Sequence, residues 1–409
     1  MHFHIYFLPF FIHSSTSWEL CRTCRPVELL NAPGIGIDLT TGYGAVAIRY
    51  SNDTVIDVAK VDGDVTYLSS LKYLVDDAME VAKGNPSKLE IVPSFAQFPK
   101  RDPPLGLLGL SKDSTVSKLL ERIFYGRYGK LEYSSIPAEV LKPDLSALAP
   151  KTQNIIIAIS EMMAKLVSKV REMESLNNVA VAVCVPDILP GYSEYFRAAG
   201  LEAGLVVILS IRSVSTDFYQ SEGQRMMEAC KNTRKSNCYS DEYDFERSDN
   251  CNKILSIDYN KEALGITWGI IDRDLERVDL HRGEVYYDLG HAAFLRFKQR
   301  NEYWDAVKFT LANMVEPATL RDVLIIQLLG DAALETELLS FLKETFKENP
   351  CLKKGHYLLS LQDHIFGAAR SRARSARSWM RTGDEVCLPH PACPGAGESG
   401  LREQPKAEL

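Results

Sequence analysis

The sequence predicts an α/β protein of two lobes, each a central sheet flanked by helices, with a cleft between them. Three observations carry that expectation. Residues 34–48 (GIGIDLTTGYGAVAI) and 253–270 (KILSIDYNKEALGITWGI) are near copies of one pattern: a β-branched strand ending in Ile-Asp, a short polar turn and a second apolar strand. Their aspartates, Asp38 and Asp258, align 220 residues apart. Farther along, apolar runs of strand length alternate with helical periodicity, the signature of right-handed crossover units. Finally, 409 residues with 45% hydrophobic and 25% charged side chains give room for two or three cores.

Taken in order, residues 34–56 form the first strand pair and 65–71 read as another short β-like run. Apolar side chains at Leu71, Leu74, Val75, Ala78, Met79 and Ala82 have helical spacing. Proline-rich 93–104 reads as a loop, and 111–125 as a helix capped by Asp113 or Ser114. Residues 151–174 make a long helix, followed by VAVAVCV at 179–185, a run suited to a strand buried on both faces. A helix over 192–203, a strand over 205–211 and a helix over 214–227 come next. The polar stretch 232–250 reads as a surface insertion. Beyond the second hairpin, the pattern predicts a strand at 284–289, a helix at 303–314, a strand at 322–329, a helix at 331–346 starting directly after Gly330, and a last helix at 364–379. These readings divide the chain into an unassigned extension (1–31), a first lobe (32–150), a second lobe (151–381) and a disordered tail (382–409).

Composition narrows the function classes. A net charge of −7 argues against nucleic acid as the main partner, since backbone binding needs an excess of Lys and Arg. Nine scattered cysteines, an odd number, are unlike a secreted disulfide scaffold and point to a reducing cytoplasmic or nuclear setting. Cys21 and Cys24 form a lone CxxC with no second pair to complete a zinc site. The aromatic run 3–12 is too short to span a bilayer and lacks a basic flank, so neither a signal nor a membrane partner is expected. Arg370, Arg372, Arg374, Arg377 and Arg381 read as a solvated helix face, and Cys184 as a small core residue.

A duplicated strand-Asp-turn-strand hairpin can clamp a phosphate chain from two sides, each offering backbone N–H groups and a carboxylate for a metal ion. The whole succession resembles the actin-like ATPase superfamily, and most closely the nucleotide-binding domain of the seventy-kilodalton heat-shock chaperones. GIGIDLTTGYGAVAI resembles the family's first phosphate motif, GIDLGTTYS. The segment VAVAVCVPDILPGYSEYFRAAGLEAGLVVILSI is similar to its strand, proline, helix, strand block. ILSIDYNKEALGITWGIID takes the place of DLGGGTFDVS, LIIQLLGDAA that of LVGGST, and HIFGAARSRA that of the closing helix. The resemblance spans about 34–379 and implies duplicated ribonuclease-H-like sheets around a central cleft. It further implies ATP or ADP held with Mg²⁺, with Asp38 and Asp258 holding the metal through its waters and orienting the attacking water. Thr40, Thr41, Gly42, Tyr43, Gly330 and Asp331 would contact the nucleotide. The bland alternative for both aspartates is a turn cap.

Departures from the family pattern bear on hydrolysis. Asn260, Lys261 and Glu262 replace the three glycines of the second motif, Thr40 replaces a glycine of the first, and Asp331 stands where a second glycine belongs. A side chain there intrudes where a backbone amide has to approach a phosphate. Ser213 falls where the family has a carboxylate, and Lys72 and Lys100 are the candidates for its phosphate-facing lysine. Only a dozen residues separate Gly290 from Tyr303, where the chaperones carry a helical subdomain, and no peptide-binding module follows 379. Two functions are therefore expected: a divergent Mg-nucleotide-binding protein with weak or no hydrolysis, or a nucleotide-free pseudo-ATPase serving as a protein-interaction scaffold.

Overall fold

Strand β1 (Gly34–Leu39) is buried at every position and hydrogen-bonded on both sides, as its unbroken apolar run requires. In the computed structural model, which describes residues 31–90, 92, 143–174, 180–208, 211–213, 253–272, 277–314, 323–347, 349, 358–359 and 364–382, β1 is the centre of the first of two mixed sheets. Strands β2 (Tyr43–Arg49), β3 (Val55–Asp62), β4 (Ala180–Val185) and β5 (Val206–Val207) complete the order β3-β2-β1-β4-β5, and β6 (Arg212–Ser213) also pairs with β4. The second sheet contains β7 (Lys253–Tyr259), β8 (Leu264–Asp272), β9 (Arg277–Tyr286), β10 (Val323–Leu329) and β11 (Leu358–Leu359), in the order β9-β8-β7-β10-β11. Each sheet runs antiparallel through its first three strands in sequence, then parallel from the first to the fourth and from the fourth to the fifth. The register repeats as well: Asp38 faces Ala45 and Leu39 faces Gly44, while Asp258 faces Gly265 and Tyr259 faces Leu264.

Helices cover these sheets. In the first half they are α1 (Val65–Ala82), α2 (Pro150–Met173) and α3 (Ser193–Glu202). Helix α1 begins at Val65, six residues before the apolar spacing from Leu71, so the β-like reading of 65–71 is replaced by helix. Val65 and Thr66 favour a strand locally, but the Asp64 carboxylate accepts the Tyr67 N–H at 2.9 Å and caps the first turn, while Tyr67, Leu71, Leu74 and Ala78 share one buried face. Helix α2 buries Ile155, Ile159, Met162, Met163, Leu166 and Val170 in the same core. Because β4 pairs with β1, the sheets divide between Ser213 and Lys253, not at 150/151. The strand read over 205–211 is reduced to Val206–Val207, with a separate pairing at Arg212–Ser213.

The second sheet packs against α4 (His291–Phe294), α5 (Arg300–Met314) and α6 (Thr336–Thr345) through an aromatic core of Tyr259, Phe294, Tyr303 and Trp304. Helix α7 (Gly367–Thr382) follows β11 yet lies on β1 and β2 of the first sheet. The approach is backbone to backbone: a Cβ on Gly36 would stand 2.0 Å from the Ala369 carbonyl oxygen and 2.2 Å from the Ala373 nitrogen. Small side chains at Ala369, Ala373 and Ala376 make the other half of that contact. Its arginines are not a solvated stripe. Arg372 is 1% and Arg377 5% exposed, and Arg370 makes a two-point ion pair with Asp57 on β3. The readings at Cys21 and Cys24, 93–104, Lys100, 111–125, 214–227, 232–250 and the tail beyond 382 lie outside the described residues. Among the described residues, no helix is long and apolar enough to cross a membrane.

Candidate functional site

The two hairpins meet. Asp38 and Asp258 end the central strands of their sheets, and together with Asp331 and Cys184 they bear on a single fully buried phenol, Tyr43. Burial pushes the Tyr43 hydroxyl well above its ordinary range, and the neighbouring carboxylates push it further. The Cys184 thiol sits 3.4 Å from Asp38 Oδ1 and 3.5 Å from the Ile37 carbonyl, so this core cysteine lies against the site. Asp258 is partly buried, between the buried Ile257 and Tyr259. Desolvation raises its carboxyl to about 7, assisted by the charges of Asp187 and Asp331 and opposed by a long contact from Asn260 Nδ2.

Hydrogen bonds within the turns have a common feature: side-chain oxygens take the backbone donors. Thr40 Oγ1 accepts from the N–H of Gly42 at 3.2 Å and of Tyr43 at 3.0 Å. Asn260 Oδ1 accepts from Glu262 N and Ala263 N, both at 3.0 Å, as an Asx turn does. Asp331 Oδ1 accepts from Lys261 N at 3.0 Å. Two polar contacts then bridge the sheets where a cleft was expected. Asn260 Nδ2 donates to Thr41 Oγ1 at 2.8 Å, and Lys60 Nζ lies 2.9 Å from Asp331 Oδ2. Burial alone would lower the Lys60 ammonium, but its hydrogen bonds to Asp62 and Asp331 outweigh that and raise it. Gly42 and Asn260 are in such close contact that a Cβ on Gly42 would fall 2.9 Å from Asn260 Oδ1.

Gly330 occupies a left-handed backbone conformation at φ 97°, and a Cβ there would lie 2.3 Å from the Tyr259 carbonyl oxygen. The residues after it do not form a helix directly. A turn over 331–334 precedes α6, so α6 does not begin at the Gly330 junction. The junction's amides are also occupied: Gly330 N donates to the His364 carbonyl and Ala332 N to the Tyr259 carbonyl.

All eight residues singled out on sequence grounds, Asp38, Thr40, Thr41, Gly42, Tyr43, Asp258, Gly330 and Asp331, belong to this one neighbourhood. Ser213 is buried on β6 opposite Val185. Lys72 is paired with Asp76 on α1 and set 4.6 Å over the Tyr287 ring. Sequence reasoning missed Lys60 and Asp187. Asp187 follows the fourth strand of its sheet just as Asp331 follows the fourth strand of the other, and that repeat was the available signal. Among the described residues, no three His, Cys, Asp or Glu side chains gather closely enough to hold a metal ion. No protein-family model matches the chain, and a comparison with curated proteins finds no match.

Proposed function

We propose that this chain is an actin-like, heat-shock-chaperone-like ATPase-type fold that works without nucleotide, as a pseudo-ATPase scaffold for a protein partner. The matched strand order of the two sheets and the matched register of their hairpins support the family reading. One observation carries the loss of nucleotide. The N–H groups of Gly42, Tyr43, Lys261, Glu262 and Ala263, the donors a phosphate chain would need, are already paired with Thr40, Asn260 and Asp331.

Electrostatics point the same way. A metal ion requires ionised carboxylates, and in the metal-free chain desolvation raises Asp258 to about 7, so binding there would first have to displace its proton. Asp331 adds a carboxylate where a triphosphate would lie. The residues present therefore do not fit a Mg-nucleotide without rearrangement of Asn260 and Asp331. What this fold keeps is its surface, on which a protein partner would act.

A second reading, Mg-ATP or ADP binding with weak or no hydrolysis, is favoured by the convergence of Asp38 and Asp258 on Tyr43. A thermal-shift titration of the full chain with millimolar Mg-ATP and Mg-ADP separates the two. Ligand at a hundred times its dissociation constant stabilises by about 2.7 kcal/mol, which is readily seen. The scaffold reading expects no shift. A saturable, Mg-dependent rise in Tm, lost in Asp38→Ala, would establish nucleotide binding instead.

A further inference from the structure

One carboxylate joins the two halves of the site. Asp331 stands in the turn after β10 of the second sheet. Its Oδ1 takes the Lys261 N–H of the second hairpin at 3.0 Å, and its Oδ2 lies 2.9 Å from Lys60 Nζ on β3 of the first sheet. The side chains of Lys60 and Asp331 are 24% and 20% exposed, so the pair lies at the rim, partly desolvated but within reach of solvent. A lysine from one sheet, which also pairs with Asp62, and a main-chain N–H from the other reach the same anion, a donor set that suits a free phosphate group. Here that anion is a side chain. Asn260 reinforces the arrangement by bonding Thr41 across the junction while capping its own turn.

We propose that Asp331 is a built-in ligand: it fills an anion seat between Lys60 and the second hairpin, and so holds the two sheets together as a bound phosphate would. The proposal rests on the nucleotide-free reading and gives it a cause. A carboxylate tethered in a turn acts at an effective concentration far above that of a dissolved anion, so free phosphate does not displace it. The closed arrangement is therefore constitutive, and no small molecule is needed to form it.

The test uses the full chain and inorganic pyrophosphate. Asp331→Gly empties the seat and leaves Lys60 and the Lys261 N–H without their shared acceptor. This variant is expected to lose several degrees of Tm and to regain much of that loss, saturably, as pyrophosphate is added. Wild type gives no response, and Asp331→Gly combined with Lys60→Met loses the recovery. A folded Asp331→Gly variant that ignores pyrophosphate overturns the proposal, as does recovery that survives Lys60→Met. Should Asp331→Gly not fold, Asp331→Asn keeps an acceptor for Lys261 N–H but removes the charge. A double-mutant cycle of Asp331→Asn with Lys60→Met should then show coupling, and additive effects would overturn the built-in ligand. If wild type binds Mg-ATP, the nucleotide-free reading fails by itself. If wild type and Asp331→Gly are both silent, only the built-in ligand fails.

Discussion

The Asp258 carboxyl makes a specific demand on how stability varies with pH. In the folded chain it titrates near 7, while its ordinary value is 3.8, so over the intervening range the native state holds a proton that the unfolded state has released. Stability on this account is fullest below about pH 4, falls as pH rises towards 7, and levels off above the folded pKa. At about 1.4 kcal/mol per pKa unit, the full effect is on the order of 4 kcal/mol. Asp258→Asn keeps the shape and removes the titration. Urea unfolding of wild type and variant from about pH 4 to about pH 8 should give curves that diverge, with the variant the more stable at the alkaline end by a few kcal/mol. Titration of other groups, including His364, whose pKa burial lowers, is common to both proteins and cancels in the difference. Curves that stay parallel across the range would show that Asp258 does not hold a proton in the folded chain.

Other consequences are more local. Gly36→Val forces a side chain into the α7 backbone, where even a Cβ would lie 2.0 Å from a carbonyl oxygen. A loss of about 3 kcal/mol or more is expected in equilibrium unfolding, against less for the same change at an open glycine such as Gly191. The partly exposed Arg370–Asp57 pair links α7 to an edge strand, and a double-mutant cycle with alanine should give a coupling of about 1 kcal/mol that shrinks in high salt. Both checks are read from denaturation midpoints and need no ligand.

Much of this architecture was legible from local pattern. The two hairpins stand where the repeated Ile-Asp strands put them, because strand alternation and a polar turn suffice to specify an antiparallel pair. Helix α2 followed from 24 residues of sustained periodicity. What local pattern does not contain is partnership between distant segments. Local pattern groups residues 180–185 with the second lobe, and only the pairing of Ile37 with Val183 assigns them to the first sheet. The arginines of α7 read as surface from composition, yet Arg372 is buried because Gly34 and Gly36 bring that helix down onto the sheet. At the site, all the replaced glycines were visible as departures, but the sequence did not say that Thr40 and Asn260 turn their oxygens inward on their own loops. Those bonds depend on rotamers fixed by the tertiary contact between the hairpins.

The crossing of α7 has a consequence for synthesis on the ribosome. Arg370 and Asp57 are separated by 313 residues, so the strand surface bearing Gly34 and Gly36 leaves the exit tunnel long before the helix that seals it. At cellular translation speeds that interval is roughly a quarter of a minute to a minute. During it, the nascent first sheet presents a bare, glycine-floored groove, a surface that calls for protection by another molecule until the chain's own closing helix arrives.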